Sequence, residues 1–442
     1  MSLSKQTSPP ARVHKTGRIF FGWYIVAAAA LFMALSYSTR YSFSVFFPIL
    51  IDEFQWPRDL GASILSIHML FYGLTAPVAG HVVDRFGPRR TMFTGISLLT
   101  LGLILSRWGY EPWHFYLTFG VIAGIGLCLL GSVPLIAIIR NWFEQSRAKA
   151  LSILFFGMGM AYACYPAVAW LIERLDWRDA YAAEGLILAA VVIPITALVM
   201  VYHPRQKGLE RDGRIGDEQA AAIRALEKRR VVDKDWVAVE WTLKKAARTS
   251  RFWLLCLATF TLWGIGHNIL VTHQIAFAMD VGHSHLYASA VLSLGGIAFS
   301  LGALASVVSD RIGREEATTI GLAISLSSIV VLLLIKDTAH PWMLYYYAIG
   351  FGFGFGMCAP LLTIIVTDIF QGPKVASTVG FVWFSFAIGG TIGPWFGGFL
   401  FELTGDYIIA FIIAGLMFFV AGAAVWLAAP RKVRLVPGRV KD

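Results

Sequence analysis

The chain has 442 residues, 57% of them hydrophobic and 14% charged, and Lys plus Arg exceed Asp plus Glu by 37 to 27. Soluble domains run about 45–50% apolar and about 25% charged, so too few polar side chains are present to cover so large an apolar interior in water. The chain therefore reads as an integral membrane protein. Its four cysteines, Cys128, Cys164, Cys256 and Cys358, lie singly in apolar runs without paired spacing or a histidine cluster, which argues against a disulfide framework and against a metal site.

A helix needs about 20 mostly apolar residues to cross the hydrocarbon core. Residues 1–20 form a polar N-tail in which Pro9-Pro10 and the composition predict disorder through Arg18. Six apolar runs follow, at 21–50, 59–82, 91–108, 113–139, 146–172 and 180–202. The first is too long and starts too late for a cleaved signal peptide. Residues 203–251 are polar, and Asp217 to Ala222 followed by Leu226 to Arg230 predicts a solvated helix on the membrane surface. Six more runs lie at 252–280, 285–308, 317–335, 341–367, 375–402 and 407–429, before a polar C-tail at 430–442. The expected architecture is an all-α membrane protein: twelve transmembrane helices in two six-helix bundles, 21–202 and 252–429.

Charge placement orients the chain. Of the 37 Lys and Arg, Arg40 lies inside the first run and Arg58, Arg107, Arg174, Arg178 and Lys336 lie on the side opposite the termini. The other 31 sit with the termini and the central stretch, which the positive-inside rule places in the cytoplasm of a cell with this protein in its inner or plasma membrane. The basic excess is thus topological, and a nucleic-acid partner is not expected.

The two bundles repeat one another. Asp84-Arg85-Phe86-Gly87 recurs 226 residues later as Asp310-Arg311-Ile312-Gly313, and Gly124, Gly126 and Pro134 recur at the same offset as Gly350, Gly352 and Pro360. Pro166 matches Pro394, and Ala180, Tyr181 and Gly185 match Ala410, Phe411 and Gly415. Four helix pairs at nearly one offset predict the tandem, pseudo-symmetric halves typical of secondary transporters.

The stretch Gly80 to Arg90 resembles the signature loop of the major facilitator superfamily, GxxxDRxGRR, with a weaker copy at Ser306 to Arg314. The resemblance implies the major facilitator fold and a cytoplasmic gate built from Asp84, Arg85, Arg89, Asp310, Arg311 and Arg314. Asp84 would accept from a helix N-terminus, while Arg85 and Arg89 would pair with acids across the half. Gly22-Trp23-Tyr24, the stretch Ser36 to Phe47, Trp142-Phe143 with Arg147 to Ala150, and Asp368-Ile369-Phe370 are similar to the monocarboxylate transporter and oxalate:formate antiporter group. That group's carboxylate-binding arginine in the eighth helix aligns near Gly302 here, and no basic residue lies in that run. The lysine of the oxalate branch aligns near Phe386, and the first-helix lysine of the monocarboxylate branch aligns with Tyr41, beside Arg40. One cation in place of two suits a monoanion rather than a dianion.

Arg40 lies 18 residues into the first run, roughly 27 Å along the axis at 1.5 Å per residue. A charge at that depth belongs against protein or a wet cavity, and a guanidinium fits a carboxylate bidentately. An outer-interface arginine, or one neutralised by an acid such as Glu184, is the structural alternative. Tyr37 and Tyr41 flank it. The seventh run, symmetry partner of the first, holds His267, Asn268 and His273, and aligning Trp253 with Trp23 sets His267 level with Tyr37. His267 or His273 could bind substrate or the coupling proton, since imidazole changes charge near neutral pH. The competing reading is a histidine bonded to a neighbouring helix. His68 reads as packing, and Asp280 and Glu184 as outer-end acids, either an outer gate or surface charges. The glycine runs at 124–126, 350–356 and 389–398 read as close-packing seams, no strand precedes them, and no GxxxxGK[ST] loop or catalytic constellation is present.

These residues predict a transporter, not an enzyme, working without cofactor or metal and functional as a monomer in the bilayer. Its cargo would be a small organic monoanion, a monocarboxylate such as lactate or pyruvate, moved with a proton by alternating access. An exporter of larger amphipathic compounds and a non-transporting membrane sensor of the same fold are the alternatives.

Overall fold

The computed structural model describes residues 20–143, 146–211, 225–372 and 375–440, without the side chains of Asp84, Arg147, Ala148 and Ala376. The tail expected to be disordered, the stretch Asp217 to Ala222 and the side chain of the gate residue Asp84 lie outside what is described. Twelve long helical segments run in sequence. They are α1 Phe21–Phe54, α2 Arg58–Phe86, α3 Pro88–Ser106, α4 Pro112–Trp142, α5 Lys149–Leu175, α6 Trp177–Leu198, α7 Ser250–Asp280, α8 His285–Ile312, α9 Arg314–Leu334, α10 Trp342–Ile369, α11 Val375–Thr404 and α12 Ile408–Ala428. Eleven are long and apolar enough to span a membrane. The other, α3, has 19 residues and carries Arg89 and Arg90 in its first turn, which dilutes its apolar character.

The sequence repeat has a backbone cause. Gly87 (φ 81°) joins α2 to α3, and its partner Gly313 (φ 120°) joins α8 to α9. Both take a φ that a side chain disfavours, so each signature loop ends on the residue that can make its turn. Within the second bundle, the run Gly350 to Gly356 splits its glycines between two neighbours. A Cβ on Gly352 or Gly356 would strike the α8 backbone at Gly295 or Phe299, and one on Gly354 would strike α9 at Gly321 and Ser325. The intervening Phe351 and Phe355, one turn apart, share a third face.

The two bundles meet along α2–α11 and α5–α8. The first seam begins at the face opposite the termini, called here the far face, where Gly398 lies on the backbone of Arg58 and Asp59. It continues through Ser66 Oγ, which accepts from the Trp395 amide at 3.2 Å, to Gly73 against Ala387. Further toward the termini, Gly80 and Gly380 have nothing within 4 Å of a built Cβ. On α5–α8, Gly159 packs on Gly296 and Ser300, and Ser300 Oγ donates to the Phe156 carbonyl at 3.0 Å. His285 also bonds the Val45 carbonyl at 2.8 Å, tying α8 to α1 at the far face. The halves are therefore closed toward the far face and diverge toward the termini.

Residues 225–229, the described part of the helix expected in the central segment, are helical, and the chain then docks on the second bundle. Trp236 donates from its indole to the Ile369 carbonyl at 2.9 Å, and Trp241 is buried. The C-tail lies alongside, with Val232 N to Val433 O at 3.0 Å and Leu435 N to Arg230 O at 2.8 Å. Trp236, Trp241 and Phe370 supply the apolar contact that charge-based reading could not anticipate.

Candidate functional site

Arg40 lies between the two bundles and is 2% exposed. Its Nη2 donates to Asn268 Oδ1 at 3.3 Å, and its guanidinium lies 5.3 Å from the Tyr41 ring and 5.4 Å from the Phe386 ring. Nε and Nη1 are buried without a partner, and no ion pair of Arg40 occurs among the described residues. Glu184, an acid that could have neutralised it, instead meets Ser42 Oγ at 3.1 Å. Two aromatic faces and one amide oxygen give a guanidinium partial compensation, and two of its nitrogens are left without an acceptor.

The orientation of Asn268 follows from the backbone of α7. Residues Phe260–Gly266 form wide, π-type turns, whose irregular bonding leaves carbonyls poorly matched. Asn268 Nδ2 donates to the carbonyls of Trp263 at 2.8 Å and Gly264 at 2.9 Å. With its amide nitrogen committed to two acceptors, the side chain must present Oδ1 to Arg40. Gly264 packs against Gly389 of α11, so this distorted turn is also a close-approach point.

His267, 1% exposed, precedes it. Its Nε2 faces Tyr162 Oη at 3.3 Å, its Nδ1 is buried without a partner, and its ring stacks on Phe355 at 4.3 Å. Tyr41 stacks on Tyr162 at 4.2 Å and stands edge-on to His267 at 6.3 Å. Tyr41 thus joins Arg40, Tyr162 and His267 in one layer. Beside it, Tyr162, His267, Gln274, Phe299, Phe351 and Phe355 help line a small cavity with about 20 Å³ of room for water-sized spheres, enough for a water molecule.

Of the residues singled out from sequence, Arg40, Tyr41, His267 and Asn268 come together. Tyr37 is turned into the first bundle, its hydroxyl 2.8 Å from that of Tyr72. His267 meets Tyr41 and Tyr162 rather than Tyr37. His68 bonds the Phe119 carbonyl at 2.9 Å, a packing arrangement. Phe386 joins the layer as a ring where the resemblance places a lysine.

His273 sits elsewhere. Its Nε2 faces the Pro394 carbonyl at 2.9 Å and its Nδ1 the Tyr407 hydroxyl at 3.3 Å, so both nitrogens are engaged. Tyr407 Oη also accepts from Arg58 Nη1 at 2.7 Å. Arg58 pairs with Asp280 at 2.7 Å, its amide donates to Glu402 at 2.7 Å, and its guanidinium lies over Phe401 at 4.1 Å. This cluster links α2 of the first bundle to α7, α11 and α12 at the far face, and sequence reading missed Arg58 because its partners are more than 200 residues away. A partly exposed pair is worth up to about 1 kcal/mol and a cation–π contact about 0.5–1 kcal/mol. Thr272 is buried on α7, one turn beyond Asn268 toward the far face. Arg58→Ala is therefore expected to open the far face, speeding maleimide labelling of Thr272→Cys from that side roughly 5- to 30-fold in a cysteine-free background, as about 1–2 kcal/mol requires. An unchanged labelling rate would show that Arg58 does not hold the halves together.

The signature loops differ between the halves. Arg89 donates to the Ala197 carbonyl and Arg85 lies against the Phe86 ring, 5.3 Å from its centre. Neither has the acid partner expected of it among the described residues. In the second copy, Arg314 pairs with Asp310 at 2.7 Å and with Asp368 at 3.1 Å, and Arg230 from the central segment reaches Asp368 at 3.2 Å. Arg311 has no ion pair among the described residues.

Two six-helix halves, glycine seams between them and a buried cation at their interface have the architecture of a multi-pass membrane transporter. The sequence profile of the Major Facilitator Superfamily matches residues 28–370 and 304–442, and the chain belongs to that family. It is 27% identical over 412 residues to monocarboxylate transporter 13 of Bos taurus, covering 93% of this chain and 89% of the relative. It is 26% identical over 445 residues to monocarboxylate transporter 12 of Rattus norvegicus, covering 96% and 89%. The uncharacterized MFS-type transporter YcxA of Bacillus subtilis is 25% identical over 409 residues, covering 91% and 93%. Among solved structures, an inward-facing, unoccupied bacterial homologue of the human lysosomal transporter Spinster shares the fold, with a TM-score of 0.68 at 16% identity over 94% of this chain and 98% of that one.

Proposed function

We propose that the protein is a secondary active transporter of a small organic monoanion, a monocarboxylate such as lactate or pyruvate, moved together with a proton by alternating access. The observation that carries this reading is the Arg40 guanidinium, 2% exposed between the halves with Nε and Nη1 unpartnered. A carboxylate presented end-on, to Nη1 and the remaining Nη2 hydrogen, would gain a charge-assisted, two-point contact in a water-poor site. Tyr41 and Asn268 hold the guanidinium in place, and His267, with Nδ1 unpartnered, is the group in this layer able to share a proton with the bound anion. Names of relatives at 25–27% identity support the substrate class.

In this reading the termini face the cytoplasm of an inner or plasma membrane. The halves rock about the α2–α11 and α5–α8 seams, and the loops at 84–90 and 310–314 latch the cytoplasmic side when the far face opens. The test is uptake of labelled lactate, pyruvate and acetate by purified protein in proteoliposomes, with and without an inward proton gradient. Accumulation driven by the gradient is expected. Uptake indifferent to the gradient would remove the proton from the mechanism, and failure to take up any of the three would remove the monocarboxylate.

A further inference from the structure

Glu184 on α6 is a buried acid that the anion site does not use. Its residue is 8% exposed, Oε2 lies 3.1 Å from Ser42 Oγ, and Oε1 is buried without a partner. The groups facing it are Ser42 from α1, Cys164 from α5 and Tyr181 one turn away on α6, while α3 contributes Thr100, whose hydroxyl donates to the Gly185 carbonyl at 3.2 Å. No Arg, Lys or His forms an ion pair with Glu184 among the described residues. Above it toward the far face, Phe46 and Tyr181 stack at 3.7 Å.

Hydrogen counting favours the neutral acid. Ser42 Oγ also lies 3.1 Å from the Thr39 carbonyl, and a hydroxyl has one hydrogen for the two acceptors. An ionised Glu184 would have to take that hydrogen, leaving the Thr39 contact empty and a carboxylate with one neutral donor in the membrane interior. A protonated Glu184 donates from Oε2 to Ser42 Oγ, whose own hydrogen goes to Thr39. Both contacts then carry a hydrogen and no charge is buried. Ser42 lies two residues past Arg40, at the turn that interrupts α1, so the charge on Glu184 is felt by the segment that holds the anion site.

We infer that Glu184 is a proton-binding site: it takes a proton from the far side while that face is open, and the far face closes only over the neutral acid. This rests on the proton-coupled reading above and names, in the first bundle, where the proton loads. Sign follows directly. Acidification of the far side shifts the protein toward the far-closed conformation described here, and alkalinity shifts it toward the far-open one.

Infrared difference spectra of the whole protein in nanodiscs, between alkaline and neutral pH, test this without a substrate. A protonated-carboxyl C=O band present at neutral pH in the wild type and missing in Glu184→Gln is expected. Labelling of Thr272→Cys from the far side, divided at each pH by the rate for a free thiol in solution to remove the effect of thiolate population, should slow about tenfold from alkaline to acid pH in the wild type. In the Glu184→Gln background it should stay slow at every pH, because the amide mimics the neutral acid. Glu184→Asp should restore the pH dependence. Absence of the band, or labelling of Glu184→Gln that still follows pH like the wild type, would overturn the inference whatever the protein transports. The band and pH-dependent closure without uptake of lactate, pyruvate or acetate would uphold the proton site and sink the substrate class instead.

Discussion

Arg40→Ala is expected to lower kcat/KM for monocarboxylate uptake roughly 100- to 1,000-fold while leaving the protein folded. Hydrogen bonds to a charged partner contribute about 1.5–3 kcal/mol each, and a two-point contact loses both at once. Arg40→Lys keeps the charge and loses the planar fork, so an intermediate loss of about tenfold is expected. The fold should not suffer. Arg40 is buried with Nε and Nη1 unpartnered, and removing a charge in that condition relieves a desolvation cost instead of breaking a salt bridge. Measured in detergent, the Tm of Arg40→Ala should equal or exceed that of the wild type. Uptake by Arg40→Ala within twofold of the wild type would show that the carboxylate binds elsewhere. A large fall in Tm would instead make Arg40 a structural residue.

Gly159→Val is expected to abolish transport by propping the halves apart. A Cβ at this position on α5 would lie 2.9 Å from the Gly296 carbonyl oxygen and 2.7 Å from the Phe299 ring of α8. One of the clashing atoms is backbone, so the helices themselves must move, at a cost of about 1–3 kcal/mol or more. The matched control is Gly80→Ala on α2, where nothing lies within 4 Å of the added carbon. There the substitution removes a flexible residue from a helix interior and should raise stability by about 0.5–1 kcal/mol. Uptake counts and thermal unfolding of the two variants side by side decide the matter. Gly159→Val behaving like Gly80→Ala would mean that the α5–α8 seam is loose.

The depth of Arg40 was legible because a membrane span is a ruler: a charge 18 residues into an apolar run has few places to go. The sequence could not say what would surround it. Its amide partner stands 228 residues away, and the direction of that amide depends on two carbonyls freed by wide turns in α7. His267 and His273 look alike on paper, six residues apart in one helix. Packing separates them, placing one ring on Phe355 in the central layer and the other between Pro394 and Tyr407 near the far face. Glu184 lies near the outer end of its helix as the sequence suggests, but distance from a helix end measures depth and says nothing of whether a neighbouring helix covers the side chain.

By itself the sequence determined the helical spans, their grouping into two sixes, the tandem repeat and the side on which positive charge gathers. Each of these follows from local quantities: hydrocarbon thickness, residue counts and the glycine that must end each signature loop. Only the tertiary structure decided which face is closed, which histidine shares a layer with Arg40, that the central segment and C-tail dock on the second bundle, and that Glu184 is sealed with Ser42. Those depend on contacts between residues far apart in the chain, whose pairing is set by how whole helices pack and not by the composition of any one of them.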